Sequence, residues 1–272
     1  MLTTFVTRSM VSARPVSIGR VTAVMNRNTT VLRSGAAYWL VLLSGVVEPL
    51  LYLLSIGVGV GALIGEITVD GRAMPYAWFV GPAMLASSAM SGALSETTFN
   101  FFHKLKYAKT FDAVLATPTR PIEIALGELA WATVRGAFYS AVFLAVMVVM
   151  GMATPGRALA AFPAAVLVGV AFGALGMAVS AFLRGWQDFD LIAVGQFALF
   201  LFSGTFAPIE DYPSGVQIVI QIAPLWHGVE LLRGLCLGGG GVALIGHVAY
   251  LVALTAAGIW IAARRLEKRL LV

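Results

Sequence analysis

Two carboxylates interrupt apolar stretches of this sequence: Glu48, immediately before Pro49, and Glu96. At bilayer depth a carboxylate costs on the order of 2.5 to 3.5 kcal/mol on insertion scales, so each should face protein or water, or carry a proton. For Glu48 a polar contact with cargo, a hinge between helices and a buried packing pair all stay open, since Pro49 also frees a backbone carbonyl. Glu96 lies toward the inner end of its stretch, where a packing pair is the stronger reading. His227 precedes Glu230 by one helical turn, a spacing that could serve a metal or a proton. A metal site would want further ligands nearby, so a capping or interface contact is preferred there. His103 and His247 stand alone and suggest nothing. Cys236 is the single cysteine, which excludes an internal disulfide and a thiol metal cluster. No grouping of serine, histidine and carboxylate points to nucleophilic catalysis. No GxxxxGK[ST] run occurs, so ATP cannot be held by the Walker route. The sequence therefore describes a chain without a catalytic centre, metal or cofactor of its own.

The elements that must position these residues are apolar. Segments 36–63, 76–98, 136–153, 160–183, 191–207 and 242–263 each approach the roughly 20 residues that cross about 30 Å of hydrocarbon as a helix. With both ends inside, the inner segments collect Arg8, Arg14, Arg20, Arg27 and Arg33, then Lys104, Lys106, Lys109, Arg120 and Arg135. Arg184, Arg264, Arg265, Lys268 and Arg269 bring these to fifteen of the eighteen basic residues. Only Arg72, Arg157 and Arg233 fall outside, so the positive-inside bias selects a six-helix topology with both termini cytoplasmic. A mean hydropathy of +0.89 with 11% charged residues leaves too little polar surface for a water-soluble globule. The pI near 9.6 reflects cations strung along membrane flanks, where they orient the chain and meet anionic lipid; no nucleic-acid partner is implied. The expectation is an all-α membrane protein in the plasma (inner) membrane of a bacterium.

The first 35 residues lack a long apolar run, which predicts a retained cytoplasmic tail and no cleaved signal peptide. Within it, Ile18, Val21, Met25, Asn28 and Leu32 recur at helical spacing while Arg20, Arg27 and Arg33 lie elsewhere on the wheel. That pattern predicts an amphipathic helix in the inner interface. The transmembrane domain then runs over 36–272. Its inner loop 99–135 sets Phe102, Leu105, Phe111, Val114 and Leu115 among Lys104, Lys106, Lys109 and Asp112, which describes a short helix with one apolar and one cationic face, stopped by Pro118 and Pro121. Residues 122–131 climb back toward the third span. On the outer side, segment 208–241 holds an apolar run too short to cross, then Pro224 and a second short helix. This predicts a re-entrant hairpin lining the outer mouth of a route. Segment 184–190 reads as an ordinary inner turn, with Trp186 as an interfacial anchor and Asp188 and Asp190 near basic partners. Gly169, Gly173 and Gly176 stripe the fourth span, where small residues let helices approach closely.

This layout resembles the membrane subunits of ABC-2 type exporters. The match is closest in EPLLYLLSIGVGVG (48–61), FVGPAMLASSAM (79–90), KLKYAKTFDAVLATP (104–118), FLFSGTFAPIEDYP (200–213) and PLWHGVELLRGLCLG (224–238). These strings are similar to the nodulation-type lipo-oligosaccharide exporter branch (NodJ) and to the daunorubicin-resistance permeases. The resemblance implies a half-transporter that pairs with a second permease, identical or related, and with two separate ABC ATPase subunits that bind ATP and Mg. It implies that the helix at 105–115 couples to the ATPase through Leu105, Lys106, Lys109, Phe111, Asp112 and Leu115. The first and fifth spans would flank the route and the outer hairpin would close it. Glu48, Pro49, Tyr52, Phe200, Phe206, Trp226, His227 and Glu230 are the expected route or gate residues. The cargo class is amphiphilic: a glycolipid, a lipid-linked glycan or a hydrophobic drug. The alternatives are an ATP-independent secondary transporter or channel, which usually carries several intramembrane ionisable groups, and a membrane-embedded enzyme, for which no reactive constellation is found.

Overall fold

The computed structural model describes residues 15–35, 47, 50–69 and 71–270. Residues 36–46 of the first predicted span, with Glu48 and Pro49, lie outside the described residues. Its second half is helix α2, Leu50–Ile64, whose turns widen to π geometry over Leu53–Val60.

Local sequence explains where the other helices begin. Helix α1, Ile18–Ser34, follows Ser17 in extended conformation. Helix α3 runs through Tyr76–Lys106 and is interrupted only by a π turn at Glu96–Asn100. Three residues later the chain turns at Lys109, in left-handed conformation with φ 46°, and α4 forms over Thr110–Leu115. Helix α5, Pro121–Val149, starts on proline, whose missing donor costs nothing at that position, and Glu123 accepts from the Arg120 N–H at 2.8 Å. Helix α6, Pro155–Ser180, repeats the device with Thr154 as cap. Helix α7 is Asp188–Leu201. A 3-10 turn at Ile209–Asp211 leads to α8, Ser214–Ile222, and α9, Pro224–Leu237, which meet at 86°. Helix α10, Ala243–Leu270, closes the chain.

Helix α6 is the centre of the bundle, with α3, α5, α9 and α10 packed around it. Its buried side carries Val168 and Phe172 among Ala158, Ala161, Ala165 and Ala171, and the alanines are small enough to let neighbours come close. A close approach to its backbone is made at Gly258 of α10, where an added Cβ would stand 2.7 Å from the backbone carbon of Ala174. Gly176 likewise faces Thr97 of α3, so the glycine stripe serves packing within the chain, as expected. The main core gathers Phe79, Leu85, Met90, Phe143, Met147, Val168, Phe172, Leu225 and Leu232. A smaller core, at the end where α1 sits, holds Phe101, Leu105, Phe111, Ile124, Leu129, Met177 and Leu266.

The chain is an all-α membrane protein in architecture. Among the described residues four helices are long and apolar enough to span a bilayer: Tyr76–Lys106, Pro121–Val149, Pro155–Ser180 and Ala243–Lys268. Three expectations need correction. A two-stranded antiparallel ribbon, β1 Glu66–Val69 and β2 Arg72–Pro75, occupies what reads as a plain connection. The fifth apolar segment is helical only to Leu201, because the chain turns at Gly204 with φ 66°. The helix expected at 105–115 is two pieces, since the backbone reverses through Tyr107–Lys109.

Candidate functional site

Ser87, Ser91 and Ser95 recur every four residues of α3, so one face of a buried helix carries a row of hydroxyls, with Ser88 beside it. Opposite stands α7 with Gln196, Phe197 and Phe200; α2 contributes Tyr52 and α5 contributes Arg135 and Tyr139. Together they enclose a cavity of about 620 Å³. Gln196 Nε2 donates to Ser91 Oγ at 2.8 Å, which ties the two walls together. Met84, Met90, Phe197 and Phe200 give the same space an apolar lining.

The end of this groove nearer α1 is closed by charge. Arg135 Nη1 is ion-paired to Glu96 Oε2, Trp131 Nε1 donates to Glu96 Oε1 at 3.0 Å, and Asn100 Nδ2 donates to Oε2 at 2.9 Å. Arg135 Nη2 also donates to the Tyr139 hydroxyl at 3.0 Å. Glu96 thus has the packing pair expected of it, and the pair is also the floor of the groove. Pairing and hydrogen bonds of this kind offset the desolvation cost that leaves an isolated carboxylate unfavourable in hydrocarbon.

The expected route residues separate into two places. Tyr52 and Phe200 line the groove, 6.3 Å apart between rings, and Phe206 meets Phe200 edge-on at 5.1 Å. The Phe206 carbonyl accepts from the Tyr76 hydroxyl at 3.1 Å. Trp226 and Glu230 instead line a second cavity, of about 860 Å³, at the ribbon end, together with Arg72, Arg157, Arg233 and His247. His227 does not contact Glu230. Its Nδ1 lies 2.9 Å from Nδ1 of His247, and its ring stacks on Tyr250 at 3.7 Å. Glu230 is ion-paired with Arg233, which is buried, donates from Nη2 to the Gly204 carbonyl at 2.7 Å and sits 3.9 Å above the Phe79 ring. Among the described residues no cluster of three or more His, Cys, Asp or Glu could hold a metal.

Sequence reasoning missed His247 and Arg233. Twenty residues separate the two histidines, so no local spacing announces them. The i,i+3 pair Glu230 and Arg233 was a usable signal that Arg233 is more than an outer-loop cation.

The predicted coupling residues also divide. Phe111 is fully buried, 5.0 Å from the Phe101 ring, and Leu105 is buried beside it; Leu115 is half-buried against the same core. Lys106, Lys109 and Asp112 are exposed. The apolar face of this segment is therefore covered by the chain itself, because α5, α6 and α10 reach it from three sides. What it offers outward is polar.

Helix α1 is seated on α5. Arg20 makes a bidentate pair with the buried Glu123, Nε to Oε2 at 2.7 Å and Nη2 to Oε1 at 2.6 Å. The bonded carboxylate raises the Arg20 guanidinium above its ordinary value. Lys104 Nζ bridges Glu128 Oε2 at 2.6 Å and Asn28 Oδ1 at 3.1 Å. The positions buried against the rest of the chain are Val24 and Asn28, whereas Ile18, on the apolar face expected in the membrane interface, is 83% exposed. The cause is Gly127 of α5, whose bare Cα admits Val24.

Long apolar helices around a groove lined by both hydroxyls and aromatic rings define a multi-pass membrane protein of the transport class. The sequence profile of the ABC-2 type transporter family matches residues 21–237. The chain is 34% identical over 233 residues to Nodulation protein J of Sinorhizobium fredii (strain NBRC 101917 / NGR234), covering 85% of this chain and 87% of that protein. It is 32% identical over 231 residues to Nodulation protein J of Rhizobium leguminosarum bv. trifolii, with the same coverage of 85% and 87%. Nodulation protein J of Rhizobium meliloti (strain 1021) is 30% identical over 231 residues, again 85% and 87%. The chain belongs to the ABC-2 type transporter family, and is a membrane component of a transport system whose family partners an ABC ATPase.

Proposed function

We propose that this chain is the membrane-spanning subunit of an ATP-driven exporter that moves an amphiphile out of the cytoplasm or inner leaflet. The observation that carries this reading is the groove between α3 and α7. Its serines, Gln196 and the neutralised Glu96–Arg135 pair suit a polar head, while Met84, Met90, Phe197 and Phe200 suit an acyl or other apolar body. A glycolipid, a lipid-linked glycan or a hydrophobic drug has that division of surface. Six spans with both termini cytoplasmic follow from the charge bias, and put α1, α4 and the 184–190 turn on the cytoplasmic side. The α8–α9 pair, bent by 86°, then re-enters the outer leaflet at the ribbon end.

In this account the protein works in the plasma membrane of a bacterium, as a half-transporter beside a second permease copy. Two ATPase subunits bind ATP and Mg and dock on the cytoplasmic face through Lys106, Lys109 and Asp112. Nucleotide acts by binding one conformation of the assembly better than the other. The test is co-reconstitution of the chain with its ATPase in vesicles containing fluorescent glycolipids. ATP-dependent transfer to the far leaflet, abolished by Ser91→Leu with Gln196→Leu, supports the groove as the route. Undiminished transfer in that double variant rejects it.

A further inference from the structure

Five aromatic rings meet at the α1 end of the bundle, away from the groove and from the α4 core. Phe99, Phe102 and Tyr107 come from the end of α3 and the turn after it; Trp186 and Phe189 come from the turn before α7 and its first coil. Tyr107 stacks on Trp186 at 5.3 Å and 18°. Phe99 and Phe102 reach Trp186 at 5.0 and 5.5 Å, and Phe102 reaches Phe189 at 5.3 Å. Two polar contacts reinforce the junction. Lys106 Nζ donates to the Arg184 carbonyl. The Asp188 carboxylate accepts from the N–H groups of Arg184 and Gly185 at 2.6 and 3.3 Å, which holds it below the usual carboxylate range and stiffens the turn. The backbone donors act most strongly on Asp188, and the cations of Arg184 and Lys106, the nearby basic partners expected for it, add to them.

The helix that follows is held differently. No residue of α7 is buried; Phe189, Ile192, Gln196 and Leu199 form a half-buried stripe, Asp188, Phe200 and Leu201 are half-buried at its two ends, and the remaining residues are exposed. Its firm contacts are at the two ends, in the aromatic junction and at Phe200 with Phe206, plus the single Gln196–Ser91 bond. A helix so lightly packed along its length can tilt as a unit, and α7 is one wall of the groove.

We propose that Trp186 is the positioning residue that passes motion of the 104–115 segment to α7, so that a push on the exposed Lys106, Lys109 and Asp112 surface opens or closes the groove. The inference rests on the ATPase-driven reading above. The stacked rings of Tyr107 and Trp186 form a stiff link between the end of α3 and the start of α7, whereas an isolated polar turn would absorb the displacement.

The experiment uses the permease–ATPase complex in vesicles, with Cys236→Ser and spin labels at Ser88→Cys and Phe197→Cys across the groove. The readouts are ATPase co-purification, hydrolysis rate, and the label distance with and without vanadate-trapped nucleotide. The expected result is a shift of several ångströms in the parent that is lost in Trp186→Ala and in Tyr107→Ala, with co-purification and hydrolysis within about twofold, and that Trp186→Phe retains. Trp186→Ala shifting like the parent overturns the proposal. So does loss of the ATPase from Trp186→Ala, since the ring would then be a docking contact, and so does a parent without any nucleotide-linked shift. If no ATPase co-purifies with the parent, the functional reading itself fails, and this inference with it; an active bound ATPase beside an unaffected Trp186→Ala shift refutes the inference alone.

Discussion

Phe111→Ala separates the two roles that the 104–115 segment could play. The ring is fully buried, packs 5.0 Å from Phe101, and shares its core with Leu105, Ile124 and Met177. Truncating a buried phenylalanine costs about 3–5 kcal/mol through lost transfer energy and the cavity left behind. Taking about 2–4 °C per kcal/mol for a chain of this size, the melting temperature should fall by roughly 10 °C. Lys109→Ala and Asp112→Ala alter exposed side chains and should stay within about 0.5 kcal/mol of the parent. Melting of the detergent-purified protein and pull-down of the ATPase should therefore give opposite orders. Phe111→Ala loses stability, and binding only as the fold is lost; Lys109→Ala with Asp112→Ala keeps stability and loses binding. A Phe111→Ala protein as stable as the parent but unable to bind the ATPase would refute the covered-face argument.

Removing Arg20 leaves the buried Glu123 carboxylate without its bidentate partner. Arg20→Ala should loosen α1 from α5, because the fully buried Glu123 carboxylate loses its guanidinium partner. The measurement is protease cleavage within 18–34, which should rise sharply. Glu96→Gln strands the Arg135 charge in the bundle and should depress expression and melting. Glu96→Gln with Arg135→Met should recover much of the loss, and an additive double variant would contradict the pairing. Gly258→Ala pushes a methyl against the Ala174 backbone and should destabilise by about 1–3 kcal/mol. Gly246→Ala, on the same helix with nothing within 4 Å of the added Cβ, should be neutral or slightly stabilising.

The four long apolar helices were legible because hydrocarbon imposes one solution on a long apolar segment, and Pro121, Pro155 and Pro224 mark the first residues of α5, α6 and α9. The ribbon has a local signature too, since the sequence Asp70-Gly71 is a strong hairpin dipeptide. The 105–115 pattern correctly grouped Leu105 and Phe111 on one face, but periodicity says which residues share a face and nothing about what covers it. The groove is of a different kind. The serines at 87, 91 and 95 give a local signal, yet their meaning depends on tertiary packing, which brings Gln196 to Ser91 from 105 positions away and Arg135 to Glu96 from 39. The His227–His247 contact has no sequence signature at all, since it depends on how α9 folds against α10.

The central claim is that this chain conducts while another subunit supplies the work. Purified chain in sealed vesicles, with and without its ATPase, loaded with fluorescent glycolipid and supplied with ATP and Mg, tests it most directly. The account predicts accumulation of the probe in the far leaflet only when the ATPase and hydrolysable ATP are both present. Uphill movement by the chain alone, driven by an ion gradient, would contradict it.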